Sequence, residues 1–467
     1  MSWLAYESRP VRLAENDRRA PYGWPVTRAA TTPRRPVRPL ASSSSLPFLS
    51  VFSGAGGLDL GLEAAGWQPF AQIECDDAAV GTLELAARRR SKSDEVVETR
   101  VIAAPIEGVA PRALRHSLGL KRGELPLLAG GPPCQPFTTH GLRQSIIDRR
   151  AAEVWPAYLR YVDEFKPRAV LIENVDGLLS AALRHRPLLE RGGVAAPLGE
   201  DERKGSFLRW FVAELAQRGY AVSWGVAEAA DYGVPQMRQR AIVIGVRGSR
   251  PCFLPRAEFG QAGQLPFRTL SDALADVHEL GPVQPLSARK RAVYDLIPPG
   301  GNWRDLPERI QRATMGAAHS AEGGKSGWWR RLSWDLPAPT ILGMPDHSST
   351  ALVHPDESRC LSVNECAAAQ SFPRGTEFAG SGRAQYQQIG NAVPPLLGAA
   401  LGRHVAKFLT TDFDDQPAEP LWRKASANRR IGTHGWAIAR APRQTEFHMN
   451  VKVRPDHVWA DVVATAS

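Results

Sequence analysis

The sequence predicts an α/β fold in which a mostly parallel sheet, covered by helices, is interrupted by a smaller, irregular second domain. Short apolar stretches such as LPFLSVF at 46–52 run directly into polar loops, which is typical of buried parallel strands. The stretch 247–380 is rich in proline and glycine and lacks long helical periodicity. Together these observations favour a Rossmann-like sheet with a second domain between its parts.

The first predicted unit is a strand, a glycine loop, a helix and a second strand. LPFLSVF is followed by SGAGGLDLGLEAAGW and then by AQIECDDAA. Gly54, Gly56 and Gly57 would let the backbone approach a nucleoside-bearing ligand closely at the open helix N-terminus. Glu74 stands about 20 residues later, where such folds contact ribose hydroxyls, and Phe52 could cover an adenine. The alternative is a tight turn that binds nothing; no GK[ST] follows, which excludes a Walker-type triphosphate site.

A second predicted strand, LPLLAGG, leads into the stretch GGPPCQPF at 130–137. The prolines fix φ and remove backbone donors, so this segment is a stiff loop that holds Cys134 in one place. The simplest interpretation is that Cys134 is a small buried hydrophobe. The other is a nucleophile, because a thiolate both attacks and departs readily.

Two further strands bring charged residues to the predicted sheet. VLI runs into Glu173 and Asn174, at the carboxyl end of a strand, where ligands of open α/β sheets bind. In QMRQR, just before AIVIGV, Gln236, Arg238 and Arg240 alternate and would face one way in an extended segment. The alternatives are a carboxylate that caps the next turn and a row of arginines on a solvated face.

Composition sets the broad class of protein. The 467 residues suffice for two or three domains, and the net charge of +10 hints at a polyanionic partner. Residues 1–45 carry eight arginines, three acids and several prolines, which predicts a disordered arm. The sequence shows no membrane-spanning run and no secretory signal. Its five scattered cysteines form no CxxC pair, so no metal site is expected, and a cytoplasmic location fits.

Taken in order, these stretches resemble one family. FSGAGGLDLGLEAAG, GGPPCQPF, ENV and QMRQR, followed by LSVNECAAAQSFP and QIGNAVPPLLGAALG, look like the characteristic blocks of the DNA (cytosine-5) methyltransferases, bacterial modification type. The match runs from about residue 48 to 405. Each block alone is weak, but PPCQPF, ENV and QxRxR in series with GNAVPP are highly specific.

The resemblance implies roles for the candidate catalytic residues. The family assigns the nucleophile to the position of Cys134, a contact to the cytosine ring to that of Glu173, and a supporting contact to that of Arg238. Asn174 would orient the loop through its amide. Arg240 is expected to be structural or to contact DNA.

The resemblance also implies S-adenosylmethionine as the cofactor. Phe52, Gly54, Gly56 and Gly57 match the family's cofactor loop and Glu74 its ribose contact. Asn391, in GNAVPP, matches a residue that closes the cofactor site. The chain departs from the family after the third strand: where an Asp usually contacts adenine, the sequence reads RVIAAPIEG, with Pro105 before Ile106.

The resemblance gives a domain plan of five segments. The plan comprises a basic arm at 1–45, a methyltransferase domain at 46–246, a target-recognition domain at 247–380, a segment returning to the catalytic domain at 381–410, and an extension of unknown role at 411–467. DNA contacts are predicted in GGNWRDLP and WWRR; the predicted residues are Arg240, Asn302, Arg304, Arg330 and Arg331. The alternative is that these aromatic-rich runs build a small core.

The predicted function is methyl transfer to carbon 5 of a flipped-out cytosine in a specific short sequence of double-stranded DNA. The enzyme would act as a monomer, either alone or beside a separate restriction endonuclease. A tRNA methyltransferase of the related branch is disfavoured because its Cys-Phe-Thr block is absent. A non-catalytic DNA-binding protein is disfavoured because Cys134, Glu173 and the glycine loop are intact. A Rossmann oxidoreductase leaves PPCQPF unexplained.

Overall fold

The computed structural model describes nine stretches of the chain. These are residues 46–90, 99–133, 149–187, 190–191, 197–260, 265–320, 327–411, 429–431 and 436–438. The predicted arm at 1–45 and the predicted nucleophile Cys134 lie outside the described residues, as does most of the extension at 411–467.

A seven-stranded sheet forms the centre of the fold, in the order β3-β2-β1-β4-β5-β7-β6. Neighbouring strands from β3 to β5 are parallel, whereas β7 runs antiparallel to both β5 and β6. The strands are β1 Leu46–Val51, β2 Trp67–Glu74, β3 Arg100–Ala103, β4 Leu127–Gly130, β5 Ala169–Asn174, β6 Tyr220–Glu228 and β7 Gln239–Arg247. The carboxyl ends of β1, β4 and β5 therefore share one edge, where the predicted site residues follow them.

Helices surround this sheet and continue into the second half of the chain. They are α1 Gly57–Ala64, α2 Asp77–Arg90, α3 Pro111–Ser117, α4 Arg149–Phe165, α5 Ser206–Gln217, α6 Leu270–Leu274, α7 Ala288–Tyr294, α8 Glu308–Met315, α9 Ala317–Ser320, α10 Val363–Ala369, α11 Gly382–Asn391 and α12 Pro395–Thr410. Short 3-10 helices lie at Ile106–Gly108, Asp176–Ser180, Glu200–Glu202, Ala229–Tyr232 and Trp303–Asp305.

The sheet is buried on both faces, as its apolar strands require. Every residue of β5, AVLIEN, is buried, which suits a strand covered on both sides. One face packs against α4 and α5, with Trp155 and Phe211 fully buried there. The other face packs against α1 and α12, through Leu62 and Leu401 among others. This two-sided core makes the sheet a rigid platform for the loops at its edge.

The helix α12 lies directly against α1. A Cβ on Gly61 would stand 2.3 Å from the carbonyl oxygen of Pro395, so only glycine admits this approach. Pro394 and Pro395 stand at the start of α12, where the backbone N–H groups have no partner within the helix, so the missing N–H of proline costs nothing. The stretch GNAVPP at 390–395 thereby lies against the helix that follows the glycine loop.

The residues between β7 and α11 have few regular elements. The helices α6 to α10 are four to eight residues long. Isolated β-bridges, such as that between Arg331 and Val353, connect the segments between them. Two further apolar clusters support this region, one of them around Tyr294 and Trp329, whose rings lie 5.3 Å apart edge-to-face. In the extension, β8 Arg429–Ile431 pairs antiparallel with β9 Trp436–Ile438.

No helix in the described part of the chain is long and apolar enough to cross a bilayer. Within the same residues, no group of three or more His, Cys, Asp or Glu side chains could hold a metal ion.

Candidate active site

The glycine loop after β1 is closed by the carboxylate of Glu74. Gly54 donates its backbone N–H to Oε2 of Glu74 at 2.8 Å, while Oε1 accepts the N–H groups of Cys75 and Asp76 at 2.7 and 2.9 Å. Phe52 and Gly54 have φ of +55° and Gly56 has +75°, so the loop turns through the left-handed region. The structure therefore brings together the residues predicted from β1 and β2.

Two glycines of this loop are required for different structural reasons. A Cβ on Gly54 would meet no atom within 4 Å, so this residue opens onto free space. A Cβ on Gly57 would stand 2.3 Å from the carbonyl oxygen of Val393 and 3.1 Å from the side chain of Ala392. Gly57 is thus needed for packing against the segment after α11, and a cofactor contact from it stays a prediction. Asn391, the exposed last residue of α11, immediately precedes that segment.

The buried carboxylate of Asp59, which the sequence analysis did not single out, links the glycine loop to β1 and β2 through hydrogen bonds. Asp59, on α1, accepts hydrogen bonds from Ser50 Oγ at 2.7 Å and Gln72 Nε2 at 2.6 Å, and Ser53 bonds to Ser50 at 2.9 Å. Burial raises the pKa of Asp59, and the bonds from Gln72 and Ser50 oppose that rise. An acid within the otherwise apolar pattern GLDLGL was the available signal.

Glu173 lies at the end of β5 and is almost fully buried. Its Oε1 is 2.8 Å from Nε of Arg240, and both side chains are at most about one-eighth exposed. Burial raises the pKa of Glu173, while the guanidinium groups of Arg240 and Arg238 counteract the rise. A Cβ on Gly131 would be 3.1 Å from Oε2, so the loop after β4 passes directly over this carboxyl group.

Asn174 fixes that loop. Its Nδ2 donates to the carbonyl oxygen of Pro132 at 2.8 Å, and its Oδ1 accepts the N–H of Val175 at 2.9 Å. The amide therefore connects the end of β5 to the GGPPC segment two residues before Cys134. This contact agrees with the orienting role predicted for Asn174, and the role itself stays a prediction.

The predictions that Arg238 makes a supporting catalytic contact and that Arg240 is structural or contacts DNA do not match the positions of the two side chains. Arg238 is 1% exposed, and its guanidinium donates to the carbonyl oxygens of Ile341 at 3.1 Å, Gly390 at 2.7 Å and Ala392 at 2.9 Å. Arg240 makes the ion pair with Glu173 instead. The expected alternation fails because β7 begins only at Gln239, and the preceding residues bridge to the recognition half near Ala338.

A buried amide pair completes what we call the polar junction, formed by Gln236, Arg238 and Gln370. Gln236 donates to Oε1 of Gln370 and accepts the N–H of Ile341 at 2.9 Å. Gln370 donates to the carbonyl oxygens of Ile389 at 2.7 Å and Ala392 at 3.1 Å. The sequence reasoning did not single out Gln370, although it is a polar residue within the apolar run AAAQSF.

Beside Arg240 the structure has a cleft of about 430 Å³. Met237, Gln239 and Arg240 line one part of it, and residues between 330 and 340 line another, among them Arg330, Leu332, Pro339 and Thr340. Asp176 and Glu228 also line it. Burial lowers the pKa of Arg330 to about 10, which leaves it cationic at neutral pH.

Comparison with known proteins agrees with these observations. The family model for C-5 cytosine-specific DNA methylase matches residues 46–407. The chain belongs to this family. The predicted resemblance and the enzyme class, DNA (cytosine-5-)-methyltransferase, are thereby confirmed.

Several curated Type II methyltransferases are similar to this methyltransferase over most of their length. M.Sau96I of Staphylococcus aureus is 35% identical, covering 77% of this chain and 75% of the relative. M.PspPI of Psychrobacter sp. is 36% identical and M.Eco47II of Escherichia coli 33%; each match covers 79% of this chain and 80% of the relative.

Solved structures share the fold. A chain described as a DNA modification methyltransferase encoded within an E. coli prophage has a TM-score of 0.52 at 18% identity, over 79% of this chain and all of the other. The methyltransferase EhMeth of Entamoeba histolytica has a TM-score of 0.50 at 16% identity, with the same coverage. The Rossmann-like methyltransferase sheet is confirmed.

The predicted DNA contacts of this methyltransferase separate into two groups. Asn302 and Arg331 are buried, so the prediction that they contact DNA is wrong. Asn302 caps the 3-10 helix at Trp303–Asp305 by accepting the N–H of Arg304 at 3.1 Å. Arg331 donates to four oxygens, including the carbonyl oxygen of Tyr294 at 2.6 Å. Arg304 is exposed and lies 4.6 Å over the ring of Trp303. Arg330 lines the cleft. The small-core alternative holds for the first group, while Arg304 and Arg330 stay predicted contacts.

Proposed function

We propose that this methyltransferase transfers a methyl group from S-adenosylmethionine to carbon 5 of a flipped-out cytosine in a specific short double-stranded DNA sequence. The observation that carries the proposal is the buried Glu173–Arg240 pair beneath the loop that leads to Cys134. A carboxyl group at this strand end, in a site shielded from water, can form a strong hydrogen bond to a bound base. A solvent-exposed carboxylate that caps a turn cannot, because water competes for the same bond.

The chemistry needs a nucleophile, because carbon 5 of cytosine reacts poorly by itself. The thiolate of Cys134 adds to carbon 6, and the electron pair moves through the ring toward nitrogen 3 and carbon 5. Glu173 in its protonated form donates a hydrogen bond to nitrogen 3, which stabilises the charge that develops there. Carbon 5 then takes the methyl group, loses its proton, and the carbon–sulfur bond breaks to release Cys134.

The environment of Glu173 suits this role. Burial raises the pKa of Glu173 and so favours the protonated form that donates to nitrogen 3, whereas Arg240 at 2.8 Å lowers that pKa. Asn174 keeps the loop before Cys134 over Glu173, which lowers the entropy lost on reaching a reactive geometry.

The residues of the glycine loop fit a nucleoside-bearing cofactor. Gly54 opens onto free space, and the Glu74 carboxylate stands beside it at the ends of β1 and β2. S-adenosylmethionine would supply the methyl group on a positively charged sulfonium. Phe52, Gly56 and Asn391 complete the proposed set of binding residues.

Double-stranded DNA is the proposed substrate, and Arg304 and Arg330 are the proposed contacts from the recognition half. A cytosine inside a duplex is out of reach of a buried site, so the base must leave its stack. The Type II names of the relatives support a role in a restriction–modification pair. That the enzyme acts as a monomer, apart from any endonuclease, stays a prediction. A cytoplasmic location stays a prediction.

Base-resolution mapping of 5-methylcytosine tests the reaction and the target together. The chain is expressed in a bacterial host that lacks cytosine methylation, beside the Cys134→Ser variant. We expect methylation at one short recurring sequence, and none with the variant. Methylation of tRNA without DNA methylation would assign the chain to the other substrate class.

A trapping experiment tests the covalent step. In DNA that carries 5-fluorocytosine at the mapped target, carbon 5 has no proton to lose, so the adduct with Cys134 should persist through denaturing electrophoresis. Cys252→Ala is the matched control, because Cys252 is fully buried in the apolar cluster that packs on the α12 face of the sheet. An adduct that forms with Cys134→Ser, or that fails to form with Cys252→Ala alone, would contradict the assignment.

A further inference from the structure

A pocket of about 360 Å³ lies at the opposite end of the sheet from Glu173. We call it the basic pocket; its polar lining consists of Arg168, Arg247, Ser249, Arg250 and Thr411. Arg168 directly precedes β5, and Glu173 lies near the other end of that strand, so about 17 Å of extended chain separates the two. The basic pocket is therefore distinct from the proposed active site.

The arginines of the basic pocket meet without a balancing acid. No acidic side chain is among the described residues that line it. Arg247 donates its backbone N–H to the carbonyl oxygen of Arg168 at 2.9 Å, which places these two arginines opposite each other on neighbouring segments of chain. Like charges in this arrangement repel each other. An anion bound between them would remove the repulsion.

Contacts to the backbone hold two of these side chains in place. Arg168 donates to the carbonyl oxygen of Leu409 at 2.6 Å, and Arg247 donates to that of Lys166 at 2.8 Å. A guanidinium group has five N–H donors, so these bonds leave both arginines able to bind a phosphate as well. The lost freedom of two long side chains is thus already accounted for before any ligand arrives.

The acids at the end of the neighbouring helix α4 do not balance this charge. Asp163 is paired with Arg218 at 2.8 Å, and Glu164 is paired with Arg115 at 2.7 Å. Arg122 donates to the backbone carbonyl oxygens of these two acids. The side of the sheet that carries the basic pocket therefore remains positively charged.

We propose that the basic pocket binds the phosphate backbone of a second DNA segment while the target duplex occupies the active site. The inference rests on the proposed function only in taking DNA as the substrate. All three arginines are exposed, so the convex backbone of a duplex can reach them. Arginine binds phosphate through charge-assisted bonds that carry no sequence information, which suits a segment of any sequence.

A binding assay with the active site already filled tests this second site. The full chain is coupled through Cys134 to an unlabelled duplex that carries 5-fluorocytosine at the target position. A labelled duplex of A·T pairs only, which has no cytosine to react, is then titrated at several salt concentrations and followed by fluorescence anisotropy. We expect the coupled wild-type protein to bind it, with log K falling linearly as log salt rises.

The double variant Arg168→Gln, Arg250→Gln should reduce that slope by about 1.8, which is about 0.9 for each lost phosphate contact. The matched control is Arg88→Gln, Arg160→Gln, which removes the same charge from two exposed arginines outside the basic pocket and should keep the wild-type slope. Because all four side chains are exposed, thermal unfolding of both variants should coincide with that of wild type. The single-turnover rate at saturating target duplex should also be unchanged.

Three results would overturn the second site. The coupled wild-type protein binds no labelled duplex, or the two double variants lose the same slope, which is a response to net charge alone. The third concerns the acids that follow Thr411 in the sequence, Asp412, Asp414 and Asp415. A labelled duplex that binds only after these are changed to asparagine would mean that the chain's own carboxylates fill the basic pocket.

Failure of the proposed function is visible separately. If wild-type protein forms no adduct with the 5-fluorocytosine duplex, the covalent step is wrong, and the labelled duplex is titrated onto the free protein instead. The pocket variant should still lose slope relative to the control variant, because the basic pocket lies apart from the active site. Equal slopes for the two variants there would overturn the second site as well.

Discussion

Exchanging the two arginines of QMRQR for glutamine should separate catalysis from stability. Arg240 pairs with Glu173 at 2.8 Å at the rim of the cleft, whereas Arg238 is bonded to three backbone carbonyl oxygens inside the polar junction. We therefore expect Arg240→Gln to slow the chemical step and Arg238→Gln to weaken the fold. The sequence alone led to the opposite expectation.

The structure sets the size of each effect. Loss of one preorganised charge next to the reacting ring costs about 10²–10³-fold in rate, or about 2.7–4 kcal/mol. Glutamine can keep at most one of the three charge-assisted bonds of Arg238, and each lost bond is worth ~1.5–3 kcal/mol, so Arg238→Gln should lower the free energy of unfolding by about 3 kcal/mol or more. It should also raise KM for S-adenosylmethionine, because Gly390 and Ala392 flank Asn391.

The pH dependence has a definite sign. Burial already raises the folded-state pKa of Glu173, and loss of the Arg240 cation raises it further. A carboxyl group with a raised pKa contributes stability that is present below its unfolded pKa and lost as pH rises through the folded value. The stability deficit of Arg240→Gln should therefore be small in acid and grow as pH rises.

The assay is single-turnover methylation at saturating cofactor and DNA, beside urea unfolding at two pH values. Arg238→Lys serves as a control, since it keeps one cation in the junction and should recover part of the stability. A normal rate for Arg240→Gln, combined with a 10²-fold slower chemical step for folded Arg238→Gln, would refute the assignment. In that case the ion pair between Arg240 and Glu173 would be structural.

Other substitutions test the remaining assignments. Gly57→Ala should destabilise the protein by ~1–3 kcal/mol in urea unfolding, because its Cβ meets the Val393 carbonyl, and should leave the affinity for S-adenosylmethionine nearly unchanged. Gly54→Ala should cost about 1 kcal/mol through strain at its φ of +55° and should also weaken binding of S-adenosylmethionine in calorimetry; equal affinities for the two variants would remove the distinction. Glu74→Gln should reduce that affinity by about 10-fold, since a charged acceptor of three backbone bonds is lost; unchanged affinity would make Glu74 a turn residue only. Arg304→Ala should reduce the slope of log K against log salt by about 0.9 per lost phosphate contact, while Arg331→Ala should unfold more easily with that slope unchanged.

Much of the fold could be predicted because local patterns decide it. The apolar run LPFLSVF, the glycines and the acid Glu74 fix the β–loop–α–β unit within 30 residues of sequence, and the family resemblance supplies the order of the rest. The place of β7, antiparallel between β5 and β6, follows from pairing among strands and was not predicted.

The errors in the site come from partners distant in sequence. Gln236 and Arg238 precede the strand and are buried by the segments near residues 341 and 390, which the local alternation of QMRQR does not reveal. In the same way, Arg331 and Asn302 look like exposed polar residues in sequence, but each satisfies backbone groups in a small core around Trp329. A polar residue in such a run is as useful for satisfying buried carbonyl groups as for contacting DNA.

The polar junction explains how the central sheet can carry the irregular stretch between β7 and α11. The guanidinium bonds of Arg238, and most of the bonds made by Gln236 and Gln370, end on backbone groups of Ile341 and of the stretch 389–392. Backbone groups are the same whatever side chains the residues carry, so the junction fixes the path of the loop at 341–344 without constraining what it displays.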